Sequence, residues 1–287
     1  MRPYLLSVAY RLTGTVADAE DIVQDAWLRW ETNRATVVHA LKAWLTTVVS
    51  RLALDRLRSA AHRRETYVGE WLPEPVVTGL DGDDPLAALV ADEDARFAAM
   101  VVLENLTPDQ RVAFVLHDGF GVPFSEIADV LGATPQSARQ LASRARRAVS
   151  DAPPPADDHA EVVGKLLAAM ASGDLSAVVA LLHPEVTFTG DSNRRAPTAA
   201  RVIHGTDKVA RFLLGLAAKY GAQRLLASGT LGLVNGELGV YSPGAEATDG
   251  APPIMPRIQA LSVRDGKVVA IYDIANPEKF TASPLAP

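Results

Sequence analysis

Between Val122 and Ser150 the chain reads VPFSEIADVLGATPQSARQLASRARRAVS, and few folds accommodate that order of residues. Around Ser125 to Leu131, Ile127, Val130 and Leu131 share one face at helical spacing. Gly132 ends that helix, because glycine enters the left-handed conformation without steric cost. Thr134 then caps a second helix, and Pro135 takes its first position, where a missing N–H is harmless. The second helix carries Arg139, Arg144, Arg146 and Arg147, with no acid between Pro135 and Ser150. A basic helix after a tight glycine turn is the layout of a helix-turn-helix, whose second helix enters the DNA major groove.

The rest of the chain is not basic. Its 287 residues carry a formal net charge of −6, which argues against a protein that coats nucleic acid generally and leaves room for a local basic patch. At that length two or three compact units are expected. With no cysteine there is neither a disulfide nor a thiolate metal site. No apolar run is long enough to span a membrane, and the first residues lack a signal-peptide core. A soluble cytoplasmic protein with no membrane association is expected.

Periodicity divides the chain. Residues 1–66 read as a helical domain of three helices. Leu5 to Leu12 forms a short one ending near Gly14. DAEDIVQDAWLRW forms a second, opened by Thr15 or Asp18. The third runs from about Val38 or Ala40 to Ala60, with Leu41, Trp44, Leu45, Val48, Val49, Leu52 and Leu57 on its apolar stripe. Residues 67–95, rich in proline, glycine and acids, read as a linker; Trp71 and Leu72 suggest that it docks on something. Residues 96–150 form a second helical domain: a helix over 92–106, a helix opened by Thr107-Pro108, then the helix-turn-helix. DAPPPADD (151–158) reads as a second linker. In residues 159–287 the pattern changes. Helices are expected over 159–172, 175–182 and 206–220, with His183-Pro184 ending the second. Strand-like runs follow at 186–190, 229–235, 237–242 and 257–274. Asp265-Gly266 is a two-residue hairpin signal. Helices followed by a meandering sheet read as α+β.

Charge is also segregated. Asp18, Glu20, Asp21 and Asp25 make an acidic face on the second helix. Arg51, Arg56, Arg58, Arg63 and Arg64 make a basic end on the third. Alone, such runs are ordinary solvated faces.

Together these segments resemble one family. Thr13-Gly14 followed by DAEDIVQDAWLRW and KAWLTTVVSRLALDRLRS is similar to the first domain of bacterial extracytoplasmic-function sigma factors. TPDQRVAFVLHDGFGVPFSEIADVLGATPQSARQLASRARRAV is similar to their second, promoter-reading domain. WLPEPV in the first linker and NPEKF at Asn276 to Phe280 resemble a subgroup with a fused SnoaL-like domain. The resemblance implies two all-α sigma domains, the second with the helix-turn-helix, followed by an α+β SnoaL-like (NTF2-like) cone.

It also implies partners and sites. Core RNA polymerase would bind through Asp21, Gln24, Asp25 and Arg29. The minus-ten promoter region would be met by Arg51, Arg56, Arg58, Ser59, Arg63 and Arg64, since melted DNA needs positive charge along its backbone. The minus-thirty-five element would be met by Gln136, Ser137, Arg139, Gln140, Ser143, Arg144 and Arg147. Residues near the start of such a helix reach base edges and later ones mostly phosphates. Arg139 and Gln140 are therefore the base-reading candidates, and Arg144 and Arg147 the phosphate contacts. Ala138, Leu141, Ala142 and Trp44 face the core. Contacts between domains would involve Trp71, Leu72, Pro73, Glu74 and Pro75 of the linker, with Asp191, Asn276, Pro277 and Lys279. Sigma factors of this subgroup usually carry an Asp-Gly-Gly-Gly-Lys loop; here the matching residues are Asp191-Ser192-Asn193-Arg194-Arg195, without the glycines.

SnoaL-like domains include enzymes with an Asp or His in an apolar pocket. Candidates here are His183, Asp191, His204, Tyr241 and Asp273, in no diagnostic spacing. The expected function is therefore transcription initiation, with the C-terminal domain regulating in cis, no catalysis, and no metal or cofactor. An unidentified small ligand in the SnoaL-like pocket is a further candidate partner. The rival readings are a DNA-tethered SnoaL-like enzyme and a regulator that uses only the helix-turn-helix. A buried Asp or His open to a cavity marks the first. The second has no need of the acidic and basic helices of residues 18–64.

Overall fold

The computed structural model describes residues 1–32, 40–64, 67–80, 84–150 and 152–285. They fall into two compact units. The first comprises Met1–Thr66, Ala88–Ala95 and Ala99–Ala152; the second comprises Tyr67–Ala87, Arg96–Ala98 and Pro153–Pro287.

In the first unit, α1 (Arg2–Thr13), α2 (Val16–Thr32) and α3 (Leu41–Arg64) pack through Leu5, Val8, Leu12, Ile22, Val23, Leu45 and Val49, all buried. Val38, one of the two expected starts of α3, lies outside the described residues. Gly14 ends α1 at φ +78, its N–H returning to the Tyr10 carbonyl at 2.7 Å. A helix expected from residue 92 begins only at Phe97, as α4 (Phe97–Glu104), because Glu93–Ala95 forms a separate 3-10 turn.

At the start of α5 (Pro108–Phe114) the Thr107 hydroxyl accepts the Gln110 backbone N–H and the Gln110 side chain accepts the Thr107 backbone N–H, a complete capping box. A π-helical turn, Val115–Gly119, follows. Next come α6 (Phe124–Leu131), Gly132 at φ +64, and α7 (Pro135–Val149), whose Thr134 cap accepts the Ser137 N–H. Ala138, Ala142 and Ala145 are fully buried on α7, and their small side chains let α7 lie close on α5.

Two arginines are buried inside this unit. Arg111 donates from Nε to the Arg11 carbonyl at 3.0 Å and from Nη1 to Glu104 at 2.8 Å. Arg11 lies 4.8 Å over the Phe120 ring and pairs with Asp92.

The second unit is built on a seven-stranded mixed sheet in the order β1-β4-β5-β6-β7-β2-β3. Its strands are β1 (Val77–Thr78), β2 (Leu182–Asp191), β3 (Ile203–His204), β4 (Thr230–Val234), β5 (Glu237–Ser242), β6 (Arg257–Arg264) and β7 (Lys267–Ile274). Among the described residues only β2 and β7 pair in parallel. α8 (His159–Ser172), α9 (Leu175–Leu181) and α10 (Thr206–Tyr220) cover one face through Val163, Leu166, Val178, Val209 and Leu213 against Phe188, Leu261 and Ile271. Tyr272 points to the other side, where Phe97 meets it at 5.3 Å between ring centres. That burial pushes the Tyr272 phenol up to about 12, so it stays neutral through physiological pH.

Two features differ from the sequence reading. His183 and Pro184 do not end a helix but lie inside β2, which begins at Leu182. A short α11 (Ala222–Ser228) follows α10, pinned by Arg224, which donates to the Pro252 and Ala245 carbonyls at 2.9 and 3.3 Å. Asp265 and Gly266, at φ +52 and +70, turn β6 into β7 as expected.

Gly14 supports a test of the first unit. A Cβ there would meet Glu104 Oε1 at 2.1 Å, in a backbone conformation that L side chains avoid. Gly14→Ala is expected to lower unfolding free energy by roughly 2–4 kcal/mol, read by urea denaturation followed through helical circular dichroism.

Candidate nucleic-acid interface and linker latch

The acidic and basic faces of the first unit touch. Arg56 on α3 reaches Asp18 at 3.3 Å and Asp21 at 3.5 Å on α2. Gln24, Asp25 and Arg29 are exposed along the same helix. Trp27 and Trp30, 5.5 Å apart edge to face, flank the exposed Leu28.

On α3, Arg51 donates to the Asp129 carbonyl at 3.0 Å, and Arg58 pairs with Asp109 at 3.0 Å. Ser59 bonds back to the Asp55 carbonyl. The side chains of Arg63 and Arg64 lie outside the described residues. Trp44 is half-buried on the stripe where it was expected.

α7 offers the opposite picture. Gln136, Arg139, Gln140, Arg144 and Arg147 are exposed, and Ser137 and Ser143 are half-buried beside them. Arg139 stacks at 5.2 Å over Phe124, which itself lies 3.9 Å from His117. Arg146 is turned back to Asp118 at 2.7 Å.

In the second unit, residues widely spaced in sequence meet at one carboxylate. Asp191 has no solvent exposure. Its oxygens accept the Leu72 N–H at 2.8 Å, the Lys279 ammonium at 2.6 Å and the Tyr67 hydroxyl. Lys279 also donates to the Leu72 carbonyl and lies 3.5 Å over the Trp71 ring. Asn276 donates to the Tyr67 hydroxyl at 3.0 Å and caps the turn at Glu278. Burial, then the hydrogen bond to Asp191, raise the Tyr67 pKa far above its usual value.

Beyond this latch, Leu72 to Thr78 is buried throughout, including Pro73 and Pro75. Thr281 donates to Glu74, Val76 exchanges hydrogen bonds with Asn235, and Val77 donates to the Ala282 carbonyl at 2.9 Å. Pro277 is exposed.

The same unit encloses a cavity of about 280 Å³. Leu166, Leu167 and Met170 of α8, Leu213, Ala217 and Tyr220 of α10, and Leu225 and Leu226 of α11 form one wall; Leu231, Val240, Leu261 and Ile271 of the sheet form the other. Ser242, Arg257 and Gln259 supply its polar end.

Residues 1–63 match the Sigma-70 region 2 family, residues 96–149 the Sigma-70 region 4 family, and residues 163–271 the SnoaL-like domain family. The chain is 67% identical to the ECF RNA polymerase sigma factor SigJ of Mycobacterium tuberculosis, over 99% of this chain and 92% of that protein. The chain belongs to the extracytoplasmic-function RNA polymerase sigma factors. A crystal structure of SigJ from the same organism aligns with a TM-score of 0.89 at 65% identity, covering 99% of this chain and 97% of that one. The probable sigma factor SigI of M. tuberculosis is 32% identical over 99% of this chain and 93% of its own length.

The catalytic candidates of this sigma factor do not converge. His204 is exposed, His183 accepts the Glu185 N–H within its own strand, and Asp191 is taken up by the latch. The Tyr241 ring lies against Gly232 outside the cavity. Asp273 stands behind the cavity's polar end with no exposure. It accepts from Thr198, from Arg257 at 3.2 and 3.3 Å, and from Gln259 at 3.2 Å. A carboxylate so occupied has no open lone pair to act as a base.

Tyr67 was missed in the sequence, because nothing local marks a tyrosine whose partners are Asp191 and Asn276. The turn after Asp191 keeps a glycine-like shape without glycine: Asn193 and Arg194 have φ +45 and +59. Replacing Arg194 with glycine is expected to raise stability by about 1 kcal/mol, seen as a higher thermal midpoint. Lys279→Met, which strands Asp191, is expected to cost about 3 kcal/mol or more in chemical denaturation. The raised Tyr67 pKa stabilises the fold fully below about pH 10, the value in an unfolded chain. That stability is lost as pH climbs through the folded value, so Tyr67→Phe is expected to flatten the alkaline fall in thermal midpoint.

Proposed function

We propose that this sigma factor binds core RNA polymerase in the cytoplasm through the α2 face of Asp21, Gln24, Asp25 and Arg29, and directs it to promoters with two elements. α3 meets the minus-ten region through Arg51, Arg56, Arg58, Ser59, Arg63 and Arg64. α7 meets the minus-thirty-five region through Gln136, Ser137, Arg139, Gln140, Ser143, Arg144 and Arg147. The observation that carries this reading is the α7 surface. A capped helix buries three alanines on one side and presents two glutamines and three arginines on the other. Arginine and glutamine near the start of such a helix suit base edges, while later arginines suit phosphates.

The second unit acts in cis on promoter use. Residues 71–75 between the two sigma domains are held by Asp191 and Lys279, so the SnoaL-like domain determines how much of that segment is free. It acts without catalysis, since Asp273 is engaged on every side. Its apolar cavity is a site for a small ligand.

Transcription with core polymerase on paired promoters tests the reading. Arg139→Ala or Gln140→Ala is expected to relax base choice in the minus-thirty-five element by about 1–3 kcal/mol per contact, whereas Arg144→Ala weakens all promoters alike. Deleting residues 158–287 is expected to change output or promoter choice. Identical transcription from the shortened chain overturns regulation in cis.

A further inference from the structure

The cavity and the linker share a strand. Leu231 and Val240 are paired neighbours on β4 and β5, and both line the cavity. One residue on, Gly232 packs against the linker: a Cβ there would stand 3.2 Å from the Thr78 carbonyl. Leu233 and Val234 then pair with Thr78 and Val77 of β1. β1 is two residues long, and among the described residues its partner in the sheet is β4. Its position is therefore tied to β4 as well as to the Ala282 carbonyl and to the latch at Leu72. At its cavity end β4 is paired on one side, with β5 through Thr230 and Leu231, and both residues are exposed.

The polar end of the cavity specifies charge. The Arg257 guanidinium is neutralised by Asp273 and donates to the Pro197 carbonyl at 3.2 Å as well. An anion gains little from an arginine already paired, and a cation meets no free carboxylate. An engineered cavity of about 150 Å³ takes benzene, so 280 Å³ suits roughly two to three rings or an equivalent aliphatic skeleton.

We propose that the cavity takes an uncharged, largely hydrocarbon molecule of that size, and that its occupancy, by fixing β4, tightens the docking of the linker strand β1. The proposal rests on the reading of the cavity as a ligand site. A ligand filling the space between α8, α11 and β4 holds Leu231 and the β4–β5 hairpin in place. The linker then loses a route to detachment. By linkage the relation is reciprocal: a looser linker strand binds the ligand less tightly, by the same factor.

The test uses the full-length chain and two probes with one skeleton, neutral N-phenyl-1-naphthylamine and its anionic sulfonate, anilinonaphthalene sulfonate. The neutral probe is expected to bind with enhanced fluorescence and tighter than the anion, and to slow amide hydrogen exchange over residues 72–80 several-fold. Leu226→Glu, at the exposed mouth, is expected to weaken the neutral probe. Gly232→Ala, which crowds Thr78 and the Tyr241 ring, neither of which lines the cavity, is expected to speed exchange over 72–80 and to weaken the probe in proportion. Absence of neutral-probe binding overturns the ligand-site reading itself. Equal or tighter binding of the anion overturns the assigned ligand class. Binding that leaves exchange over 72–80 unchanged, or a Gly232→Ala chain that opens the linker yet binds the probe normally, overturns the coupling alone.

Discussion

A fully buried carboxylate must find partners, and the partners Asp191 finds organise the second unit. An unpaired charge in that environment costs several kcal/mol, so Lys279 and the Leu72 N–H are drawn to one point from opposite ends of the chain. The ammonium of Lys279 is itself shielded by the Trp71 face, a cation over a π-cloud. Once Leu72 is held, the next six residues have little freedom. Two prolines stiffen the path, Asn235 satisfies both backbone groups of Val76, and Val77–Thr78 completes the sheet edge. A stretch that connects the two sigma domains in sequence thus becomes part of the SnoaL-like domain's framework.

The first unit shows a different balance. Its interior charges, Arg111 with Glu104, are buried and therefore costly to separate. Its surface arginines on α3 are held by weaker means: exposed pairs such as Arg58 with Asp109 are worth about 0–1 kcal/mol. A phosphate is a better partner for such a guanidinium, being doubly accepting and released from its counterions on contact. The fold therefore keeps the scaffold rigid and leaves the basic surface exchangeable.

Much of this was legible where the physics is local. Thr107 before Pro108, Gly132 before Thr134-Pro135, and Asp265-Gly266 each determine their backbone within a few residues, and each stands where the sequence places it. The α7 face was readable for the same reason. What was illegible is non-local. His183-Pro184 resembles a helix stop, yet both lie in a bulge of β2 between Leu182 and Thr187, the residues that pair with β7. α11 is too short to show a period and depends on Arg224 reaching distant carbonyls. Tyr67 and the pairing of Arg56 with Asp18 and Asp21 arise only when separate helices or loops meet. Asp273 looked like a catalytic group because a sequence shows a carboxylate without showing the donors around it.

The bridge from Arg56 to Asp18 and Asp21 has a consequence for genetics. The surface proposed for polymerase, at Asp21, and the surface proposed for DNA, at Arg56, are not separable across this bridge. Removing the arginine alters the field felt by both acids, and removing either acid changes the reach of the arginine. Single substitutions here report a sum of two defects. A charge-swapped pair, which keeps the bridge while reversing its poles, separates loss of the bridge from loss of the individual charges when set beside the single substitutions.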